Sequence, residues 1–236
     1  MNSLPAPELI AEKGAILVIN KPGGLLTQGP PGIDSMELRI KQYLKVRDEK
    51  PGKVYLGVPH RLDRPASGVM LFAKNVRAAK RLADQFQQRI VKKKYWAIVE
   101  GHPEPEGIWT DFMRKLTDEA KSEICREDDS DSRQAILRYK VMAQTSELSW
   151  LEIELETGRT HQIRLQCSHR GHPIVGDQLY KSRIEFGPQS FDQRKRWIGL
   201  HAREIEFEHP IDKQWEVHAA HIPNHWRELE FKFPDD

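Results

Sequence analysis

Asp63 is the side chain in this sequence best placed to do chemistry. It lies between two guanidinium-bearing residues in Pro59-His60-Arg61-Leu62-Asp63-Arg64-Pro65-Ala66-Ser67-Gly68. In extended backbone alternate side chains share a face, so Arg61 and Asp63 should point one way while Leu62 turns inward. Pro65 keeps Arg64 out of the helical region and Ser67-Gly68 breaks regularity again, so the stretch reads as a turn. Flanking guanidiniums favour an ionised carboxylate, which suits a nucleophile or electrostatic stabiliser better than a general acid. Taken alone, the same pattern also fits a solvated ion pair that staples a surface turn.

Other chemistries find less support. His169 with His172, and His218, His221 and His225, superficially have zinc-like spacing. Pro223 interrupts the second set and no local Cys or acid joins either, so satisfied or surface histidines are expected and no metal site. Cys125 and Cys167 stand far apart, which excludes a CxxC redox pair and predicts two reduced thiols. Gly23 and Gly24 follow Lys21 without the Gly-x4-Gly-Lys-Ser/Thr spacing of a phosphate loop, so they read as turn glycines.

The elements that must carry these residues follow from periodicity. Residues 15–19 (Ala-Ile-Leu-Val-Ile) and 69–73 (Val-Met-Leu-Phe-Ala) read as buried strands. Asp34-Ser35-Met36-Glu37 has capping-box spacing and predicts a helix over 35–46. Asn75 can cap a second helix with Val76, Ala79, Leu82, Ala83, Phe86 and Ile90 on one face and Arg77, Lys80, Arg81 and Arg89 on the other. Strands are predicted over 95–101, 108–115, 134–141 and 148–155, the last two as antiparallel neighbours because the loop between them is short. Leu151, Ile153 and Leu155 alternate with Glu152, Glu154 and Glu156, giving one buried and one wet face. The acidic run Glu127 to Asp131 reads as a mobile connection. Thr160 can cap a helix that runs to Arg170 and stops at Gly171. Segments 205–207 and 215–217 form a closing hairpin, and Trp226, Leu229 and Phe231 lie on a short helix or extended tail.

Several of these stretches together resemble one family. His60-Arg61-Leu62-Asp63 followed by Ser67-Gly68 is similar to the signature of the RluA family of pseudouridine synthases, with Ala66 where that family usually has Thr. Asn20-Lys21-Pro22, Lys94-Tyr95-x-Ala97, Gly158-Arg159-Thr160-His161-Gln162-Ile163-Arg164 and Leu200-His201-Ala202 resemble further motifs in the same order. The resemblance implies Asp63 as the catalytic residue, Arg164 as its cationic partner and Tyr95 as a third catalytic residue. It also implies Arg61, His60, Arg159 and His161 as substrate-binding residues, and Lys92, Lys93 and Lys94, which read as directly continuing the basic face of the second helix, are expected to bind RNA with them. The implied fold is α+β, a mixed and largely antiparallel sheet with flanking helices around a central cleft. The implied reaction is uridine to pseudouridine in structured rRNA or tRNA, with the target base flipped and no cofactor. A catalytically idle RNA-binding protein or RNA-folding aid on the same scaffold is the alternative.

Composition fits this picture. With 236 residues, a single catalytic domain, possibly of two lobes, is expected over 1–236. Net charge is only +2, but residues 74–95 hold eight Lys or Arg against Asp84 alone, a basic face suited to a polyanion. No apolar run approaches the ~20 residues of a membrane span. The N-terminus lacks the pattern of a secretion signal, and little sequence precedes Ile16 to hold an S4-type domain. A cytoplasmic monomer acting on RNA is expected.

Overall fold

The computed structural model describes residues 4–234. In chain order the elements are β1 (Glu8–Lys13), β2 (Ile16–Lys21), α1 (Met36–Arg47), β3 (Ser67–Ala73), α2 (Val76–Gln87), β4 (Lys92–Glu100), β5 (Glu106–Lys115), β6 (Ser122–Cys125), β7 (Arg133–Gln144), β8 (Leu148–Leu155), α3 (Gln162–His169), β9 (Leu200–Glu208) and β10 (Trp215–Ala219). They fall into two compact units. The first comprises the chain up to Lys93 together with Ala202–Ile222, and the second Lys94–His201 with the chain from Pro223 onward.

In the first unit the strand order is β1-β2-β3-β9, with β10 on β9. The pairs β1–β2, β2–β3 and β9–β10 are antiparallel. Every residue of β2 and β3 is buried, which is why both read as unbroken apolar runs rather than as alternation. The Ser35 side chain accepts the Leu38 N–H at 3.3 Å and starts α1, which buries Met36, Ile40 and Leu44 at four-residue spacing. Asn75 does the same for α2, accepting from Ala78 N–H at 2.8 Å. That helix buries Ala78, Leu82 and Gln85, leaving Val76 exposed where the sequence places it on the inner face. Gln85 earns its buried place by bonding β9 twice, donating to the Glu208 carbonyl at 2.7 Å and accepting the Glu208 N–H at 3.1 Å.

In the second unit the order is β4-β8-β7-β5-β6, and the pairs β4–β8, β7–β8, β5–β7 and β5–β6 are antiparallel. Ile98, Val99, Leu137, Leu151 and Ile153 form fully buried positions of this sheet. Met113, Ala135, Leu165 and Tyr180 make a further core cluster, with Ile124 against it. The Glu127 to Asp131 run is an ordered turn rather than a loose link, because Asp129 Oδ2 accepts the Arg126 N–H at 2.9 Å. Trp226 is wholly buried on a 3-10 turn, Asn224–Trp226. The largely antiparallel α+β class expected from sequence is what the chain adopts. Among the described residues no helix is long and apolar enough to cross a membrane.

Candidate active site

The turn bearing Asp63 is pinned from several sides within the first unit. Thr27 Oγ1 donates to the Leu62 carbonyl at 2.9 Å and accepts the Leu62 N–H at 3.2 Å, while the Leu62 side chain is buried. This reciprocal pair, worth about 1 kcal/mol per bond, fixes the residue immediately before Asp63. The Asp63 carbonyl accepts the Ala66 N–H at 3.1 Å and closes the turn. Arg64 donates from Nε to the Gly24 carbonyl at 3.0 Å. Gly68 then enters β3 with φ +122°, and a Cβ there would lie 2.3 Å from the Ala202 carbonyl oxygen, so only glycine fits. Ala66 is buried, so a threonine in its place would have to bury its hydroxyl as well. Asp63 itself is half-buried, Arg61 exposed and Leu62 inside.

Lys21 lies under this turn and is completely buried. Its Nζ donates to the carbonyls of Pro22 (2.8 Å), Leu25 (2.8 Å) and Arg64 (3.3 Å), tying the β2 exit loop to the turn. Burial pulls its pKa down to about 7, against the attraction of the Asp63 carboxylate and with the repulsion of the Arg64 guanidinium. An amine of lowered proton affinity is therefore held at the root of the Asp63 turn from the chain segment before α1. In the sequence Lys21 stands out only as part of Asn20-Lys21-Pro22. Its signal was a lysine ending an apolar run just before Pro22, a place where an ammonium is carried inside by its strand.

The expected substrate-binding residues separate. His60 is half-buried, stacked on Phe86 with ring centroids 4.5 Å apart, and its Nε2 accepts the Leu71 N–H at 2.9 Å. Burial, helped by the Lys93 charge, pushes its pKa down to about 3, so the ring is neutral and buttresses the turn. The lysine run does not extend the basic face of α2, because β4 begins at Lys92 and its alternation divides the three. Lys92 is exposed, 3.3 Å from Glu206 and over the Trp215 ring; Lys93 sits 5.6 Å from the Phe86 ring centroid with its pKa lowered by burial. Lys94 is opposite Glu154 in the β4–β8 ladder.

In the second unit Tyr95 is buried, paired with Ile153, and shares its face with Ala97 and Val99. The stretch leading into α3 is splinted by Gln162: its Oε1 takes the Thr157 hydroxyl (2.8 Å) and the Arg159 N–H (3.0 Å), and its Nε2 donates to the Ile136 carbonyl (3.1 Å). The residue capping α3 is therefore His161, not Thr160. It takes the left-handed conformation at φ 56° and makes no side-chain cap bond, its Nδ1 lying 3.0 Å from the Tyr180 hydroxyl instead. Arg159 donates from Nε to the Gln134 carbonyl at 2.9 Å. Arg164, 4% exposed, forks onto Asp177, 2% exposed, with Nε–Oδ2 2.7 Å and Nη2–Oδ1 2.8 Å, and its guanidinium carbon lies 5.0 Å from the Tyr180 ring centroid. Bidentate pairing to a buried carboxylate fixes the guanidinium plane. Nothing in the sequence around Asp177 and Tyr180 reveals that they hold Arg164.

These features can be set beside known proteins. Residues 15–169 match the sequence model of the family described as RNA pseudouridylate synthase. The dual-specificity RNA pseudouridine synthase RluA of Vibrio vulnificus is 36% identical over 214 residues, covering 87% of this chain and 79% of that protein. The tRNA pseudouridine synthase C of Vibrio parahaemolyticus is 29% identical over 242 residues, covering 97% and 96%. Among solved structures, human RNA pseudouridylate synthase domain containing 4 is similar with a TM-score of 0.77 at 24% identity, over 97% of this chain and 95% of that one, a likeness of fold.

Proposed function

The chain belongs to the RNA pseudouridylate synthase family and is an enzyme of that kind; from that premise we propose that it acts on structured rRNA or tRNA with Asp63 as its essential carboxylate. The observation that carries the assignment is the clamped turn, which presents Asp63 half-buried above Lys21 while Thr27 and Arg64 hold the backbone on either side.

The reaction breaks the bond from ribose C1′ to uracil N1, joins C1′ to C5, and moves the proton from C5 to N1. No water enters the balance, so one ionised carboxylate suffices where a glycosidase needs two. Asp63 does the covalent or charge-stabilising work, whether it adds to the sugar or to the base. Arg164, held by Asp177, is the cationic partner the reaction uses with Asp63. Tyr95 stacks on the flipped uracil and takes the C5 proton. Arg61, exposed at the turn, braces the gap left when the base leaves its stack. The detached uracil must be held against the sugar until it turns, a demand met by enclosure rather than by a second catalyst. Exposed Arg77, Lys80 and Arg89 supply phosphate contacts, which makes affinity salt-dependent. The two units serve as one catalytic domain, working as a cytoplasmic monomer without metal or cofactor.

The test is tritium release from rRNA and tRNA transcripts labelled at uridine C5. Wild type should release it, and Asp63→Asn should lose at least about a thousandfold in rate, the scale of removing a group that acts covalently. Turnover by Asp63→Asn within about tenfold of wild type would overturn the assignment. Tight RNA binding by wild type with no release on any transcript would favour the idle RNA-binding alternative.

A further inference from the structure

The second unit carries a feature the catalytic proposal does not use. Phe191 is fully exposed, at 109% of the reference value, the most exposed of the large apolar side chains. A single exposed ring implies nothing by itself, but this one stands among cations with its face open to a partner. Its surroundings say what kind. Between Lys181 and Arg196 the chain has five basic residues, Lys181, Arg183, Arg194, Lys195 and Arg196, against Glu185 and Asp192.

The segment is held in shape on both sides of the ring. Phe186, buried, packs edge-on against His225 (4.8 Å) and Trp226 (5.9 Å). After the ring, Asp192 accepts the Arg194 N–H at 3.1 Å and caps the 3-10 turn Gln193–Lys195. Arg196 reaches back to the Ser190 carbonyl (3.2 Å, from Nε) and across to Gln178 Oε1 (2.9 Å, from Nη1). Both neighbours of Phe191 are thus tied down while the ring is left outside. Arg194 remains largely exposed although it pairs with Asp192, and Lys195 is exposed beside it.

An aromatic face presented on a fixed loop among cations is the arrangement by which proteins hold single-stranded nucleic acid: the ring stacks on a base and the cations take the adjoining phosphates. We propose that Phe191 stacks on an unpaired base of the substrate RNA, with Arg194 and Lys195 on the neighbouring phosphates. The inference rests on the RNA-modifying reading for its partner, but not on the assignment of Asp63.

Fluorescence anisotropy with two probes tests it: a fluorescein-labelled RNA stem-loop with an unpaired loop, and a fully paired RNA duplex of equal length. Phe191→Ala should weaken binding of the stem-loop by at least about fivefold and of the duplex by less than about twofold. Phe191→Trp should bind the stem-loop as tightly as wild type, and Phe191→Leu, apolar but without a π-face, should behave as the alanine variant. Unchanged stem-loop affinity in Phe191→Ala, equal losses on both probes, full rescue by leucine, or no wild-type binding to the stem-loop would each overturn the proposal. So would a change in sedimentation of the RNA-free protein on Phe191→Ala, which would assign the ring to another copy of the chain. Only binding is read, so an inactive wild type would sink the catalytic reading and leave this result standing.

Discussion

Replacing Lys21 by methionine should change stability in a way that depends on pH. The side chain is wholly buried and its Nζ serves three carbonyls, those of Pro22, Leu25 and Arg64. Methionine fills much the same volume and serves none of them, so the substitution should cost about 3–5 kcal/mol, the scale of leaving buried polar groups without their charged partner. The pH term is separate. Burial lowers the Lys21 pKa from 10.5 to about 7, so the unfolded chain binds the proton more tightly than the folded one, a difference worth about 5 kcal/mol in full. That penalty is complete below about pH 7 and is relieved as pH rises from there towards the unfolded value. Wild type should therefore gain about 2 kcal/mol over Lys21→Met between about pH 6 and about pH 8.5. Urea unfolding of both proteins at the two pH values gives the double difference. A stability gap between them that stays constant or shrinks across the window would refute the buried, proton-poor ammonium and with it the account of how the Asp63 turn is held.

Asp177→Asn should leave the buried Arg164 guanidinium half-paired, costing about 3–5 kcal/mol in unfolding experiments, and should slow tritium release; unaltered stability and rate would mean Asp177 does not aim Arg164. Gly68→Ala combines φ +122° with a Cβ 2.3 Å from the Ala202 carbonyl oxygen, so it should yield no native protein, and a soluble variant melting as wild type would contradict the close approach. Tyr95→Phe keeps the ring but not the hydroxyl, and single-turnover release should fall by about a hundredfold or more; an unchanged rate would remove Tyr95 from proton transfer.

Elements whose causes are local could be read before any coordinates. The buried runs of β2 and β3, the caps at Ser35 and Asn75, and the alternation of β8 each depend on a few adjacent residues. β1 and β6 could not be: Glu8–Lys13 is half charged, lacks alternation and forms because β2 offers it a ladder, and Ser122–Cys125 is four residues fixed by β5 and by Tyr180, whose hydroxyl accepts the Ser122 N–H at 2.8 Å. The same division runs through the candidate site. Leu62 turns inward as a local apolar residue should, with Arg61 exposed and Asp63 half-buried on either side of it. Distant contacts decide the rest: Thr27 clamping Leu62, Lys21 beneath the turn, Asp177 gripping Arg164, and the left-handed His161 that displaces Thr160 as the cap. The lysine run misled because residues 92–94 were read as a continuation of α2, whereas strand geometry begins at Lys92 and sends neighbours to opposite sides.

Gly68 meets Ala202, a partner from the same unit that the chain reaches only after Lys94–His201. During synthesis, therefore, the aspartate loop is made well before β9, the strand against which it seats. Folding of the first unit must wait until β9 and β10 have been made, with the exposed margin of β3 a sticky intermediate in the meantime. Chains cut short before Ala202 should not be weak enzymes but clients of chaperones and proteases.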